Sequence, residues 1–204
     1  MKPLLQQLNA ELAGIVAAAR QSVVQLHNGR GGAGAGTILH ADGLIVTNAH
    51  VVRRQGPKVT LADGRAFSGR LLAFDDQADL AAIAVDAQAL PVLPLADGRS
   101  VEPGQWVVSL GHPWGVVGAS TAGIVIDIGR PVEGLPYDGP LIQAGLHLRP
   151  GHSGGPMLNS QGELVGINTM LAGPYVGLAI PVQRVKRFLK QTLGSQARRK
   201  RYTY

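Results

Sequence analysis

Ser153 stands in the run Gly151-His152-Ser153-Gly154-Gly155-Pro156, and a hydroxyl set among glycines suits nucleophilic attack. Glycines let the backbone turn sharply, so the serine oxygen projects while neighbouring N–H groups point at the same reacting carbonyl. The same residue types also build ordinary polar turns, and the hexapeptide alone leaves both readings open. A serine hydroxyl is a poor nucleophile at neutral pH until a base takes its proton, so a histidine must stand elsewhere in the chain. Six are present: His27, His40, His50, His112, His147 and His152. His50 is the best placed, in Thr47-Asn48-Ala49-His50-Val51-Val52 at the end of a strand begun by Leu44, where an imidazole is held rigidly. For the other five, a surface or structural role is the ordinary expectation. The base in turn needs a carboxylate that fixes its tautomer and stabilises the imidazolium. Asp79 directly precedes the apolar run Leu80-Ala81-Ala82-Ile83-Ala84-Val85, where its carboxylate sits desolvated at the mouth of a strand. Asp75 and Asp76 lie in the polar turn before that strand and read as turn residues.

These three residues are far apart in the chain, and only tertiary structure can gather them. Leu4, Leu5, Leu8, Leu12 and Ile15 recur at helical spacing, which predicts an amphipathic helix from Leu4 to about Ala19 that packs on the body. Ser22 to His27 turns β-like, and Gly31-Gly32-Ala33-Gly34-Ala35-Gly36 leads flexibly into the next strand. That glycine run lacks the Lys-Ser/Thr ending of a phosphate loop and the GxGxxG spacing, so it does not point to a nucleotide. Strands then follow at Thr37 to Leu39, Leu44 to Thr47, Lys58 to Leu61, Arg70 to Phe74 and Leu80 to Val85, with hairpin turns at Asp42-Gly43 and Asp63-Gly64. A segment rich in Pro and Gly, Leu90 to Gly104, precedes a second series: Trp106 to Leu110, Ser120 to Ile128, Leu141 to Ala144, Met157 to Leu158, Leu164 to Asn168 and Gly177 to Ile180. Gln183 to Leu193 returns to helical spacing. Two successive sets of about six short strands predict an all-β fold of two six-stranded antiparallel barrels with short terminal helices. The expected units are residues 1–20 (helix), 21–95 (barrel with His50 and Asp79), 96–193 (barrel with Ser153 and the closing helix) and 194–204 (a basic, frayed tail).

Composition agrees with that outline and removes other classes. Aromatics are only 4% of the 204 residues, so the core must be built from Val, Leu, Ile and Ala, while 28 Gly and 13 Pro supply turns. The absence of Cys excludes disulfides, thiolate zinc sites and a cysteine nucleophile. The histidines are dispersed, with no ligand pair at i and i+4 of a helix, so neither a metal nor another cofactor is expected. Polar residues break Leu4 to Ala19 too often for a signal-peptide core, and no run approaches the roughly 20 apolar residues of a membrane span. The default compartment is the cytoplasm, or an extracytoplasmic one if an export signal was removed. Much of the net charge of +6 sits in Arg198-Arg199-Lys200-Arg201. With no aromatics interleaved, that run reads as a solvated end and not as a nucleic-acid site.

The motifs together resemble the HtrA/Deg group of trypsin-like serine proteases. Thr47 to Val52 is similar to that family's histidine motif, Asp79-Leu80-Ala81 to its aspartate motif and Gly151 to Pro156 to its serine motif, in the same order. Gly36 to Thr47, Gly111-His112-Pro113-Trp114-Gly115 ahead of Gly123-Ile124-Val125, and Gly177-Leu178-Ala179-Ile180-Pro181 extend the likeness over roughly Glu11 to Leu193. The resemblance implies two Greek-key barrels with the site between them. It makes Ser153 the nucleophile, His50 the general base and later acid, Asp79 the orienting carboxylate, and the N–H groups of Gly151 and Ser153 the oxyanion hole. It also implies that Ile167-Asn168-Thr169 runs beside the substrate as an extended edge.

Departures from the family pattern are local. Where relatives carry small and polar residues including an Asp, this chain reads Ala144-Gly145-Leu146-His147-Leu148-Arg149-Pro150, so His147 and Leu148 are expected to reshape the primary specificity pocket. His152 replaces the usual Asn or Asp beside the nucleophile, which removes an ion pair with a processed N-terminus. The chain stops about twenty residues after the last expected strand, a length without room for the PDZ domains of many relatives. Relatives commonly trimerise through an aromatic-bearing N-terminal segment; Met1 to Val24 holds no Phe, Trp or Tyr, so a homotrimer is left open without support. The implied activity is ATP-independent endoproteolysis of unfolded or misfolded polypeptides, with protein quality control as its setting. The rival is a binding or chaperone-like module whose oxyanion loop rests unproductively, motivated by His152 and Arg149.

Overall fold

The computed structural model describes residues 3–29, 33–52, 56–97, 101–129 and 139–200. Gly31 and Gly32 of the glycine run and Arg201 of the basic tail lie outside the described residues.

Helix α1 (Leu4–Ala19) and a short 3-10 turn lead into strands β1 (Val23–His27), β2 (Ala33–His40) and β3 (Leu44–Thr47). A single helical turn, α2 (Ala49–Val52), is followed by β4 (Lys58–Thr60), β5 (Ala66–Ser68), β6 (Arg70–Asp75) and β7 (Leu80–Ala84). The second series is β8 (Trp106–Gly111), β9 (Ala119–Ile128), β10 (Ile142–Gly145), β11 (Pro156–Leu158), β12 (Leu164–Gly173) and β13 (Val176–Pro181), closed by α3 (Val182–Lys200). The first seven strands form one sheet in the order β5-β4-β1-β2-β3-β7-β6, and the last six close into a barrel in the order β10-β13-β12-β11-β8-β9. Every pairing between these strands is antiparallel. The C-terminal barrel has the six strands expected. The N-terminal sheet has a seventh, β5, a three-residue edge strand returning from the Asp63-Gly64 turn onto β4.

The near-continuous apolar runs of these strands follow from burial on both faces. Successive side chains of a strand point to opposite sides, and here each side meets a different core. Ile45, Ala81 and Ile83 fill the inside of the N-terminal sheet, whereas Val46, Leu80 and Ala82, between them in sequence, enter a second cluster. In the C-terminal barrel Val107, Met157 and Val165 point inward, while Val108, Leu158 and Leu164 turn out into that same second cluster. This shared cluster is the seam between the two sheets. Each fully buried Leu or Ile in it contributes about 1.5–3 kcal/mol of transfer free energy.

The terminal helices seal the seam. Val185 and Phe188 of α3 belong to it, and Leu12, Ile15 and Val16 of α1 pack against it. Lys186 Nζ pins α3 to the connecting segment through Ala96 O at 2.9 Å and Asp97 Oδ1 at 2.8 Å. The first turn of α1 stands clear of the body, with Leu4 80% and Leu5 76% exposed. The basic run expected to fray continues α3 as far as Lys200. Among the described residues no helix is long and apolar enough to cross a membrane.

Candidate active site

His50 is carried not by the end of β3, as its spacing suggested, but by the helical turn α2 that follows it. The departure has a function: α2 presents both the backbone N–H and the ring of His50 to one acceptor. That acceptor is Asp79, at the turn from β6 into β7, whose Oδ1 lies 3.1 Å from His50 N and 2.9 Å from Nδ1, with Oδ2 at 3.0 Å from Nδ1. Thr169 Oγ1 donates to Oδ2 at 2.7 Å. The carboxylate is therefore ringed by donors, and it is only 2% exposed, while the His50 ring is 44% exposed. Asp79 has φ of 51°, left-handed backbone that a non-glycine residue rarely adopts. Asn48 Nδ2 secures this conformation by donating to Asp79 O at 3.1 Å.

The serine loop is fastened to both sheets. Ala35 N donates to Ser153 O at 2.8 Å and Thr37 Oγ1 to Gly154 O at 3.1 Å, which ties the loop to β2. Gly154 N donates to Asn168 O and Asn168 N to Gly155 O, each at 2.9 Å, which ties it to β12. Gly154 has φ of 84°, and a Cβ there would run into Ala35 O and Thr47 Oγ1. Ahead of the serine, Arg149-Pro150-Gly151-His152 forms a turn closed by His152 N to Arg149 O at 2.9 Å, with Gly151 at φ of 106°. A Pro-Gly centre suits a turn whose third residue must have positive φ. Within this loop the amides of His152, Gly154 and Gly155 all donate, while those of Gly151 and Ser153 have no acceptor among the described residues.

Ser153 shares a cleft of about 460 Å³ with His50, lined also by Leu148, Arg149, Pro150, His152, Thr169, Met170 and Leu171. The Ser153 hydroxyl donates to Thr169 O at 2.7 Å, and no hydrogen bond joins it to His50.

The specificity residues fall differently from expectation. Leu148 lines the cleft, but His147 turns to the exposed Tyr175, edge to face with ring centroids 5.1 Å apart. Ile167 is paired on both sides, to Ile180 and to Pro156, and is fully buried. Asn168 is likewise spoken for: its backbone holds the serine loop and its side chain binds Leu110 O and Pro156 O while accepting from Ser109 Oγ. Neither residue has an edge left to offer, and Thr169 turns its hydroxyl to Asp79. The wall of the cleft is instead Thr169, Met170 and Leu171. The continuation of β12 past Asn168, toward the Gly173 turn, is the signal that locates it.

His152 and His112 stand behind the loop. The His152 ring caps its own turn, accepting from Arg149 N at 3.0 Å, while its Nε2 is buried with no partner among the described residues. Burial holds its pKa below the ordinary range, partly offset by the Arg149 backbone and reinforced by the Arg149 charge. His112 accepts from Gly118 N at 3.1 Å, and its own N–H binds Gly151 O at 2.9 Å. Burial lowers its pKa to about 4, against a smaller upward pull from the Val24 backbone and with further lowering from His152 and His27.

With that geometry in place, comparison with known proteins is specific. Residues 34–167 match the trypsin-like peptidase domain. The chain is 42% identical over 155 residues to a DegP-like serine endoprotease of Halomonas elongata, covering 73% of this chain and 32% of that protein. It is 36% identical over 179 residues to the serine protease HTRA1 of Xenopus tropicalis, covering 83% and 39%. Among solved structures it is similar to the HtrA-type protease AlgW with a tripeptide, at TM-score 0.81 and 30% identity, covering 87% of this chain and 62% of that one. The chain thus spans well under half the length of the curated relatives it matches.

Proposed function

This chain belongs to the trypsin-like peptidase family, with HtrA/DegP-type serine proteases as its relatives, and from that premise we propose that it is an ATP-independent serine endopeptidase. Its substrates are extended segments of unfolded or misfolded polypeptides, cut in the course of protein quality control. Residues 21–95 supply His50 and Asp79, residues 96–193 supply Ser153, and the site lies where the two units meet. The observation that carries this reading is the pairing of a buried, triply hydrogen-bonded Asp79 with a half-exposed His50, in one cleft with Ser153 and beside two amides that lack acceptors.

The chemistry follows from these groups. Rotation about χ1 moves the Ser153 hydroxyl from Thr169 O to His50 Nε2. Oγ then attacks the scissile carbonyl carbon as His50 takes the proton, and the displaced electron pair settles on the carbonyl oxygen. Gly151 N–H and Ser153 N–H bind that oxyanion, each contributing on the order of 10²–10³ in turnover. Asp79 remains ionised and stabilises the imidazolium. His50 returns the proton to the leaving amine as the C–N bond breaks, and water repeats the sequence on the acyl-enzyme. Met170 and Leu171 take the substrate as an added strand, with Leu148 beside it. AlgW structures with bound peptides support a peptide-binding cleft in this fold.

A second reading, a peptide-binding module with a resting site, is favoured by one observation: the Ser153 hydroxyl is engaged by Thr169 and not by His50. Fluorophosphonate labelling combined with digestion of an unfolded protein separates the two. A protease is labelled and digests, and Ser153→Ala does neither. Capture of unfolded chains without labelling or turnover sinks the proteolytic reading.

A further inference from the structure

One lip of the cleft carries two side chains that bond-breaking does not use. Trp114 is 78% exposed and sits at φ of 53°. Left-handed backbone at a non-glycine residue costs about 1–3 kcal/mol, and an indole left in water recovers little of it by burial. The Arg149 guanidinium lies 5.8 Å from the centre of the Trp114 ring, within cation–π range, so the tryptophan steadies the arginine. The Arg149 backbone is held as well, by two hydrogen bonds with His152.

Arg149 lines the cleft together with His50 and Ser153, and among the described residues no Asp or Glu lines it. Among the described residues no carboxylate lies within ion-pair distance of the guanidinium. Asp79, the carboxylate of the site, is buried and engaged by His50 and Thr169. A steadied, unpaired guanidinium beside the nucleophile is a receptor for a carboxylate, which it binds by charge-assisted, bidentate hydrogen bonds. An extended peptide advances about 3.3 Å per residue, so a residue lining a cleft of this size meets substrate within two or three residues of the bond under attack.

We propose that Arg149, steadied by Trp114, determines specificity by selecting substrates with an Asp or Glu side chain within three residues of the scissile bond. This rests on the proteolytic reading above and adds a substrate preference to it.

The test uses quenched fluorescent peptides in which Asp or Glu is compared with Asn or Gln at each of three positions on either side of the cut. Wild type favours the acidic peptide about tenfold in kcat/KM at one of these positions, and 0.5 M salt weakens the preference. Arg149→Gln brings the ratio to about one, Arg149→Glu inverts it toward Lys, and Trp114→Ala reduces it. The same peptides are ranked by fluorescence anisotropy on Ser153→Ala, which reads binding without turnover. Acid preference that persists in Arg149→Gln, or Ser153-dependent cleavage with no acid preference anywhere, overturns the assignment of Arg149. Acid-selective binding lost in the Ser153→Ala/Arg149→Gln double variant, with no cleavage by wild type, upholds it while overturning the proteolytic reading alone.

Discussion

At the scale of single residues, the proposed mechanism makes Thr169 the partner to which activity should be most sensitive outside His50, Asp79 and Ser153. Its hydroxyl donates to Asp79 Oδ2 and its carbonyl accepts from Ser153, so one residue touches both ends of the proposed proton path. A hydrogen bond to a charged group contributes about 1.5–3 kcal/mol. Thr169→Val is therefore expected to lower kcat about ten- to a hundredfold with little change in KM, and Thr169→Ser to restore most of it; steady-state kinetics on one peptide decides. A rise in KM alone, with kcat unchanged, would mean that Thr169 merely walls the cleft. The serine loop could be read from sequence because the glycine flanks of Ser153 are local. Choosing Asp79 over Asp75 was also local, since a polar turn before a strand occupies its own carboxylate: Asp75 Oδ1 accepts from Ala78 N at 2.9 Å. The contact of Thr169 with Asp79 was not legible, because the two lie 90 residues apart and no spacing rule connects a threonine in the C-terminal barrel to an aspartate in the N-terminal sheet.

Among the elements, most strands were legible, including the three-residue β4 and β11, and β5 was not. β5 has three residues, one paired edge and no buried side chain, so it leaves no apolar signal. The turn α2 has four residues following a strand, and its helical conformation is set by the double attachment of His50 to Asp79 and not by propensity. The pairing of Ile167 and Asn168 on both sides was hidden for a related reason: sequence shows that a segment is a strand but not which of its edges is taken. The serine loop gives the sharpest test at this scale. Gly154→Ala places a methyl against Ala35 O and Thr47 Oγ1 at positive φ, so it should abolish fluorophosphonate labelling and destabilise the fold by upward of about 2 kcal/mol. The identical change at Gly194, on α3 with nothing within 4 Å, should stabilise by up to about 1 kcal/mol. Urea melts of the two variants check both signs, and a Gly154→Ala protein that labels and melts like wild type would refute the tight docking of the loop.

For the whole molecule, the seam between the two sheets is what holds the site together, since His50 and Asp79 stand on one side of it and Ser153 on the other. The residues behind the serine loop make that assembly sensitive to acid. His112 is neutral in the fold down to about pH 4, whereas in the unfolded chain it gains a proton near its ordinary value of 6.5. Between these values the unfolded state binds more protons, so stability is complete above about pH 6.5 and is lost as pH falls toward 4. The loss from a shift of this size is on the order of 3 kcal/mol. His152, lowered by burial in the same direction, adds to it with the same sign. For a protein of this length 1 kcal/mol moves Tm by roughly 2–4 °C, so Tm should fall by about 5–10 °C between pH 7 and pH 4.5 on account of His112. His112→Asn keeps an acceptor for Gly118 N–H but carries no titrating ring, and its Tm, whatever its value at neutral pH, should fall distinctly less over the same interval. Circular dichroism melts at the two pH values measure the difference. Equal slopes in wild type and His112→Asn would assign the acid lability to the carboxylates and remove the buried imidazole from the explanation.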